Sequence, residues 1–228
     1  MKTAADLRIP FTWMERRAII LERCLYIPGY LERHEQWERL PWSDNALFGN
    51  HQPVVVEYCS GNGIWICERA KENPHLNLVA VEKRFDRARK IWARLHREEI
   101  PNLFVVCGEG IVFSRYYVPL QSISQVFVNF PDPWPKLRHA KHRIIRKEFL
   151  EEVEKIAVPR GKATFVTDDF PYVEEMLRTV AKHPRWRSTL PPPHYTTTWP
   201  EEYGTSFFFD LWKKKGKQIH YLHYEVGT

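Results

Sequence analysis

The amino-acid sequence predicts an α/β protein with a mostly parallel, seven-stranded sheet, helices on both faces and an antiparallel C-terminal hairpin. Three observations support this prediction. From residue 53 onward, short apolar runs alternate with amphipathic stretches, the pattern of consecutive βα units. The run PVVVEYC at 53–59 is almost continuously apolar and β-branched, which is typical of a strand buried on both faces. Near the C-terminus, two aromatic runs flank KKKGK, which predicts two antiparallel strands with a hairpin-like connection.

Residues 1–50 are predicted to form a helical extension ahead of one domain at 51–228. Residues 13–25 place apolar side chains at three- and four-residue spacing, which favours a helix. Pro28-Gly29 ends that helix, and residues 31–40 form a second short amphipathic stretch. The arginines of this extension either contact phosphates or lie on solvated helix faces, with solvated faces slightly favoured for each of Arg16, Arg17, Arg23 and Arg33.

The domain itself is predicted to alternate strands and helices. The predicted strands, some with their following turn, are 53–59, 77–83, 103–110, 123–130, 162–169, 206–212 and 218–226. The predicted helices are 64–72, 85–98, 143–158 and 171–183. Helix 85–98 is strongly amphipathic, with Ile91, Trp92 and Leu95 on its buried face. Because parallel sheets bind ligands beyond the carboxyl ends of their strands, the loops after the strands are the candidate site.

Composition and charge exclude several classes of protein. The 228-residue chain has a formal net charge of +6 and a pI of about 9.1, which suits nucleic acid or an acidic surface. No apolar run approaches the ~20 residues that span a bilayer, so we expect a cytoplasmic, soluble protein with no membrane partner. The cysteines have neither CxxC nor His/Cys ligand spacing, which predicts reduced, packed thiols and no metal site. They are Cys24, Cys59, Cys67 and Cys107.

Three acidic residues stand at the ends of three successive predicted strands. Glu57 precedes a turn in which Gly61 and Gly63 let a ligand approach the backbone closely, although the full GxGxxG of dinucleotide sites is missing. Glu82 ends the second strand, where an acid accepts hydrogen bonds from ribose hydroxyls. Glu109, after the third strand, is placed to reach an adenine amino group. Each is also explained as an ordinary polar turn, but together they predict a pocket for S-adenosylmethionine, whose sulfonium and ammonium groups complement carboxylates.

A rigid turn with a single carboxylate organises the second half of the domain. The strand at 123–130 breaks at Pro-Asp-Pro-Trp-Pro, where prolines fix φ on both sides of Asp132. From Pro133 to Lys147 there follow six Lys or Arg, two His and no carboxylate. This pattern predicts a reaction centre beside a polyanion site. The alternative, a surface turn followed by a solvated basic helix, is less favoured because an apolar strand leads into the turn and Trp134 is embedded in it.

The stretch PDPWPKLRHAKHR at 131–143 resembles the signature of the bacterial tRNA (guanine-N7)-methyltransferases, which is close to PDPWPKxRHxKRR, with His142 in place of an arginine. The glycine turn, the strand-two acid and Thr167-Asp168 followed by Tyr172 also match that family in order and spacing. The resemblance covers roughly residues 48–225. It implies the Rossmann-like class I methyltransferase fold and S-adenosylmethionine as methyl donor. It further implies tRNA as partner, with N7 of the variable-loop guanine at position 46 as acceptor, and leaves open whether the protein is a monomer or a homodimer.

The same resemblance assigns roles to individual residues. Glu57, Gly61, Gly63, Glu82, Glu109 and Asp132 look like the donor-binding residues, and Asp132 also looks like the catalytic one. Lys136 and Asp168 look like substrate contacts, and residues 138–143 look like an RNA-binding segment that includes Arg138, Lys141 and Arg143. Arg146 is a further candidate for a phosphate contact. Lys213, Lys214 and Lys215 either bind phosphates or form a solvated hairpin, and the two readings are about equally favoured.

Two positions depart from the family pattern. Glu109 stands where the family more often has Asp or Asn, which is a tolerable change. Near the C-terminus the family has a Thr-x-Phe/Tyr-Glu segment that contacts donor and guanine, and this chain has Phe208 where the Glu is expected. Thr205 carries over directly as a substrate contact. Either Asp210 supplies the acid after a local register shift, or that contact is absent.

Two other functions remain as alternatives. A non-catalytic RNA-binding module with a degenerate nucleotide pocket is less favoured, because such a pocket has little reason to keep buried carboxylates. A methyltransferase for a small molecule or a protein is disfavoured by the basic stretch that follows Asp132. Binding of S-adenosylmethionine discriminates the first alternative, and competition by tRNA discriminates the second.

Overall fold

The structure is a computed structural model that describes residues 2–9, 17–29, 33–198, 200, 203–204 and 207–227. The chain divides into two compact units, Met1–Pro119 and Leu120–Thr228. Each unit has its own strands and its own packed helices. No helix in the described ranges is both long and apolar enough to cross a membrane.

The first unit contains five strands in the order β1-β2-β5-β4-β3. They are β1 (Ile19–Leu21), β2 (Cys24–Tyr26), β3 (Val54–Tyr58), β4 (Asn77–Glu82) and β5 (Leu103–Cys107). Its helices are α1 (Ile64–Glu72), α2 (Phe85–Arg97) and α3 (Gly110–Tyr116). β1 and β2 are antiparallel, whereas β2-β5, β4-β5 and β3-β4 are parallel. Every residue of β3, β4 and β5 is buried, as expected for parallel strands that are covered on both faces.

The second unit contains four strands in the order β6-β7-β9-β8. They are β6 (Ile123–Asn129), β7 (Ala157–Thr167), β8 (Trp186–Ser188) and β9 (His220–Val226). The helices of this unit are α4 (Lys147–Ile156), α5 (Phe170–Val180) and α6 (Phe207–Lys214). β6 and β7 are parallel, and β9 is antiparallel to both β7 and β8. The mostly parallel α/β architecture with an antiparallel C-terminal strand is therefore confirmed, with nine strands described in place of the seven predicted.

The predicted N-terminal helix is wrong where the structure describes it. Residues 19–26 form a hairpin, in which Glu22 and Arg23 turn the chain with φ of 43° and 71°. Three apolar residues on either side of a two-residue turn also fit a helical spacing, and Glu-Arg lacks the usual Asn-Gly signal of such turns. Pairing of β2 with β5 decides in favour of the strand. Of the second stretch, only His34–Gln36 is helical, as one 3₁₀ turn; residues 10–16 and 30–32, with Arg16, lie outside the described residues.

Four further elements differ from the prediction in type or extent, or were not predicted. The aromatic run at 206–212 favours a strand, but Phe207–Lys214 is the helix α6, because β9 already pairs with β7 on one side and β8 on the other. The helix predicted from Arg143 begins only at Lys147, and Arg146 before it is extended. Helix α3, which has seven residues, and strand β8, which has three, were not predicted.

Candidate active site

The glycine turn after β3 brings the backbone into a tight left-handed path. Gly61 and Gly63 have φ of 58° and 71°, which side-chain-bearing residues adopt at a cost. A Cβ at Gly63 would stand 2.6 Å from Cγ1 of Ile91 on α2, so glycine is also required there by packing. The turn closes with a hydrogen bond of 2.8 Å from the Gly63 N–H to the Ser60 carbonyl, immediately before α1 begins. This turn is therefore a built feature of the fold.

Glu82 ties this turn to the end of β4. Its Oε2 accepts a 2.8 Å hydrogen bond from the Gly61 N–H, and its Oε1 accepts one of 2.8 Å from the Arg84 N–H. The residue is 6% exposed, and this burial raises the pKa of its carboxyl group, although the two backbone hydrogen bonds oppose the shift. Both carboxylate oxygens thus have a fixed direction, and each retains a lone pair for a further donor.

Glu57 and Glu82 lie on the same face of the first unit's strands. Glu57 is opposite Ala80 in the parallel register, and Ala80 lies two residues before Glu82. Since side chains alternate along a strand, residues two apart share a face. Glu57 is 2% exposed. The predicted convergence of these two acids is thus consistent with the strand register.

Glu109 stands at the N-terminus of α3. Its Oε2 accepts a 2.8 Å hydrogen bond from the Val112 N–H, which makes it the side-chain cap of that helix. One carboxylate oxygen is thus used inside the fold, and the side chain is half-buried. Glu109, which the sequence predicts to contact an adenine amino group, therefore also stabilises helix α3, which the sequence does not predict.

All four thiols were predicted to be packed, and three of them are buried. Cys24, Cys67 and Cys107 are buried, Cys59 is half-buried, and none of them forms a disulfide. Burial raises the pKa of Cys67 and of Cys107 to about 12, which keeps both protonated and unreactive near neutral pH. No cluster of three metal-ligating side chains occurs among the residues that the structure describes.

Asp132 stands exposed on a turn with unusual backbone angles. Phe130, two residues before it, has φ of 47°, and Trp134, two residues after it, has φ of 43°. Bulky residues in the left-handed region cost about 1–3 kcal/mol each, so the surrounding contacts must hold this turn in place. On one side, the Phe130 N–H donates a 2.8 Å hydrogen bond to the Val166 carbonyl of β7.

Arg143 holds the other side of the same turn. Its Nε donates to the Pro133 carbonyl at 2.7 Å, and its Nη2 donates to the Trp134 carbonyl at 3.1 Å. Its Nη1 donates to the carboxylate of Glu175 on α5, and its guanidinium lies 5.3 Å from the ring centre of Tyr172. Arg143 is 9% exposed, and each of its three side-chain nitrogens donates a hydrogen bond within the fold, so the RNA contact expected for it stays a prediction.

The other predicted cations of this segment point to solvent. Lys136, Arg138 and Lys141 are exposed on and before the short 3₁₀ helix Leu137–His142. Trp134 packs against two histidines of this helix, with ring centroids 5.7 Å from His139 and 5.4 Å from His142. Arg146 donates to the Lys141 carbonyl and lies 3.4 Å from a Glu148 oxygen, so it is partly committed to the fold. The segment presents a basic surface with an aromatic base, which suits a polyanion.

The other residues of the second unit that are predicted to contact substrate or tRNA lie in different structural settings. Asp168 follows β7 and accepts a 2.5 Å ion-pair hydrogen bond from Lys217, whose Nζ also lies 4.0 Å from the Trp212 ring centre. Asp210 is exposed in the first turn of α6 and therefore belongs to a helix, not to the strand assumed for it. Thr205 lies outside the described residues. Lys213 and Lys214 are exposed at the end of α6, and Lys215 follows them.

One buried contact near the turn escaped the sequence analysis. The hydroxyl of Tyr203 donates a 2.7 Å hydrogen bond to Oδ1 of Asn129, the last residue of β6. Both residues are at most 5% exposed, and Tyr203 also packs edge-on against Tyr221 of β9. The sequence shows an asparagine at the end of an apolar strand, which was a signal for a buried polar contact. It does not show that the partner is a tyrosine 74 residues later.

The chain is similar to known proteins in sequence and in fold. A family model described as "Putative methyltransferase" matches residues 51–221. A tRNA (guanine-N(7)-)-methyltransferase of Chlamydia abortus is 41% identical over 219 residues, which is 96% of both chains. The crystal structure of the 16S rRNA methyltransferase KamB has a TM-score of 0.63 at 16% identity, covering 84% of this chain and 96% of that one. An antibiotic-related methyltransferase has a TM-score of 0.56 at 14% identity, covering 78% of this chain and 89% of that one.

The two kinds of comparison carry different information. At 14–16% identity, the solved structures establish the fold alone. The relative at 41% identity is matched over 96% of this chain. The chain therefore belongs to the tRNA (guanine-N(7)-)-methyltransferase family and has the Rossmann-like fold of class I methyltransferases.

Proposed function

We propose that the protein transfers a methyl group from S-adenosylmethionine to N7 of guanine 46 in the variable loop of tRNA. The observation that carries this proposal is the set of acids at the ends of three neighbouring parallel strands: Glu57, Glu82 and Glu109. Carboxylates in a buried setting favour a cationic ligand and disfavour a pyrophosphate, which agrees with the missing third glycine. The relative at 41% identity, whose name states guanine N7 of tRNA, supports the acceptor.

The residues of the first unit fit the donor molecule by their chemistry. Glu57 would bind its ammonium group, Glu82 its ribose hydroxyls, and Glu109 its adenine amino group. The Gly61–Gly63 turn leaves the backbone open to close approach. When bound, S-adenosylmethionine supplies an electrophilic methyl group on a sulfonium centre.

The residues of the second unit would serve the acceptor. Guanine N7 carries an in-plane lone pair and no proton, so no side chain has to act as a base. Alignment is then the main task, and it can contribute roughly 7–11 kcal/mol to lowering the barrier. Asp132 would hold the amino edge of the guanine or stabilise the positive charge that develops on the ring. Lys136, Arg138 and Lys141 would bind tRNA phosphates, and Asp168 would contact the guanine nucleotide.

Methyl transfer from labelled S-adenosylmethionine to an unmodified tRNA transcript tests this proposal. We expect one labelled site, in the variable loop, that is open to mild chemical cleavage specific for N7-methylguanine. In Asp132→Ala, kcat should fall about 100-fold while tRNA affinity changes little, because the carboxylate acts mainly in the transition state. Asp132→Asn is the matched variant, since it keeps the shape and removes the charge.

Other outcomes point to other functions. Label in tRNA at a different atom would remove guanine N7 as the acceptor. No label in tRNA, with the donor still bound in equilibrium dialysis, would favour a small-molecule or protein substrate. Absence of donor binding would leave the RNA-binding module. A loss in Asp132→Ala that is confined to tRNA affinity would contradict the role given to that residue.

A further inference from the structure

We propose that Arg143, anchored by Glu175, is the positioning residue that sets the conformation of the Asp132 turn, and that it does not bind tRNA. The inference rests on the proposed function for its kinetic consequences. Its structural basis is independent of that function. The basic segment from Lys136 to Lys147 would then contain two kinds of cation: those that face solvent, and Arg143, which holds the Asp132 turn in place.

The contacts of Arg143 leave its guanidinium with little capacity for a phosphate. All three side-chain nitrogens donate within the fold: Nε to the Pro133 carbonyl, Nη2 to the Trp134 carbonyl and Nη1 to Glu175. The side chain is 10% exposed, and the ring of Tyr172 lies 5.3 Å from its guanidinium carbon. Among the six cations from Lys136 to Lys147, all of them described, Arg143 is the buried one.

The two carbonyls that Arg143 binds belong to the residues directly after Asp132. These carbonyls lie in the peptide planes on either side of Trp134, so fixing both planes fixes the backbone of Trp134, and the ring of Pro133, whose φ is fixed, connects it to Asp132. Trp134, with φ of 43°, would relax toward ordinary angles without such contacts. Pro131, Pro133 and Pro135 have no N–H, so the turn has few backbone donors of its own with which to hold itself.

The anchor of Arg143 is as well defined as its target. Glu175 and Tyr172 are one helical turn apart on α5, so they present carboxylate and ring on the same side of that helix. The Tyr172 hydroxyl also accepts a 3.3 Å hydrogen bond from the Ile145 N–H, two residues beyond Arg143. The Arg143 N–H itself donates to the Ala140 carbonyl at 3.0 Å and closes the 3₁₀ helix. Arg143 is thus held by its backbone N–H, by the ion pair of its guanidinium with Glu175 and by the ring of Tyr172.

Arg143→Lys distinguishes positioning from phosphate binding. Lysine keeps the charge and the ion pair with Glu175, but an ammonium cannot reproduce the planar fork to two carbonyls. We expect kcat for methyl transfer to fall by roughly 10- to 100-fold, with KM for tRNA within about twofold of wild type. The slope of log tRNA affinity against log salt should not change. Arg178→Lys, an exposed site on α5, is the matched control and should behave as wild type.

Glu175→Gln provides a second variant, which is decisive if Arg143→Lys fails to fold by circular dichroism. It removes the anchoring charge and leaves both carbonyl contacts, so we expect a fall in kcat of a few-fold in the same direction, again without a change in KM. Wild-type kcat in whichever of the two variants is folded overturns the proposal. So does a loss of about 0.7–0.9 from the salt slope in Arg143→Ala, which removes the charge, because this is the change for one lost phosphate contact.

Hydrogen exchange separates this inference from the proposed function. If the wild-type protein makes no N7-methylguanine, the proposed function fails, and the positioning role is then judged from the amides of the turn. Faster exchange at Asp132, Trp134 and Lys136 in Arg143→Lys, with the rest of the second unit unchanged, supports the role. Unchanged exchange at these three amides overturns it.

Discussion

The strand-end acids of the first unit and the Asp132 turn of the second unit are held in place in different ways. Glu109 receives a hydrogen bond from the Val112 N–H, and Glu82 receives two, from the Arg84 N–H and from the Gly61 N–H in the turn after the neighbouring strand β3. The Asp132 turn is instead held by a side chain that comes from beyond the turn and is anchored on a helix further along the chain. The first arrangement follows from the strand ends themselves, whereas the second depends on one long-range contact.

This difference indicates where substitutions should act. An acid that also serves as a backbone acceptor cannot be removed without loosening its own loop, so donor affinity and folding stability should fall together. The cations around the Asp132 turn are of two kinds. We expect the exposed ones to attract tRNA by their charge and the buried Arg143 to fix the conformation of the turn. Each expectation below tests one side of this division.

The largest effect should come from Glu82→Ala. The substitution leaves the Gly61 and Arg84 N–H groups without their acceptor, which costs about 1–3 kcal/mol for each buried donor. We expect the free energy of unfolding to fall by about 2–4 kcal/mol in urea titrations. Calorimetry should show S-adenosylmethionine binding weakened about 100-fold or more. Glu82→Gln, which keeps one carbonyl oxygen as acceptor, should lose less stability. Equal losses in the two variants would mean that the hydrogen bonds accepted by Glu82 do not stabilise the turn.

A smaller effect is expected from Arg138→Ala, which tests the exposed cations. Removal of one phosphate contact should lower the slope of log tRNA affinity against log salt by about 0.7–0.9. Fluorescence anisotropy with tRNA between about 50 and 200 mM salt measures it. Arg178→Ala removes an exposed charge outside the basic segment and should leave the slope unchanged. A wild-type slope in Arg138→Ala would take that arginine out of the tRNA interface.

The smallest effect concerns pH and Glu82. Burial raises the pKa of this carboxyl group above its ordinary value of 4.5, so the folded state holds its proton more tightly than the unfolded state. The resulting stabilisation is present below that ordinary value and is lost as the pH rises through the raised pKa, at about 1.4 kcal/mol for each pH unit that separates the folded and unfolded pKa values. Wild type should therefore lose stability relative to Glu82→Gln as the pH rises from about 4.5 to 7. A constant difference in urea unfolding over this range would mean that the carboxyl group is not perturbed.

Much of the fold was accessible from sequence because it depends on local patterns. β3, β4 and β5 are apolar runs whose burial needs no distant partner to be recognised, and α2 has a clear helical period. The elements that were wrong are those decided by pairing. The segment at 19–26 is a hairpin because β5 has a free side for β2, and Phe207–Lys214 is a helix because β9 has none.

The candidate site was predictable to the same extent. Strand-end acids and a proline-fixed aspartate are visible as residue types at strand ends, so Glu57, Glu82 and Asp132 could be proposed as site residues from the sequence. The role of Arg143 was not, because in sequence it is one of six similar cations, and only the contacts of its guanidinium with residues nine, ten and 32 positions away separate it from the others. Asn129 and Tyr203 were missed for the same reason, since their bond spans 74 residues.

The pairing of β2 with β5 has a consequence for how the chain is made. Leu25 is opposite Val106, about 80 residues later, and the Val105 N–H donates to the Arg23 carbonyl at 2.9 Å. During synthesis at about 5–20 residues per second, the hairpin would wait roughly 4–16 s for its partner strand. Throughout that interval its apolar residues lack the strand that finally covers them, which is the situation in which nascent chains recruit chaperones.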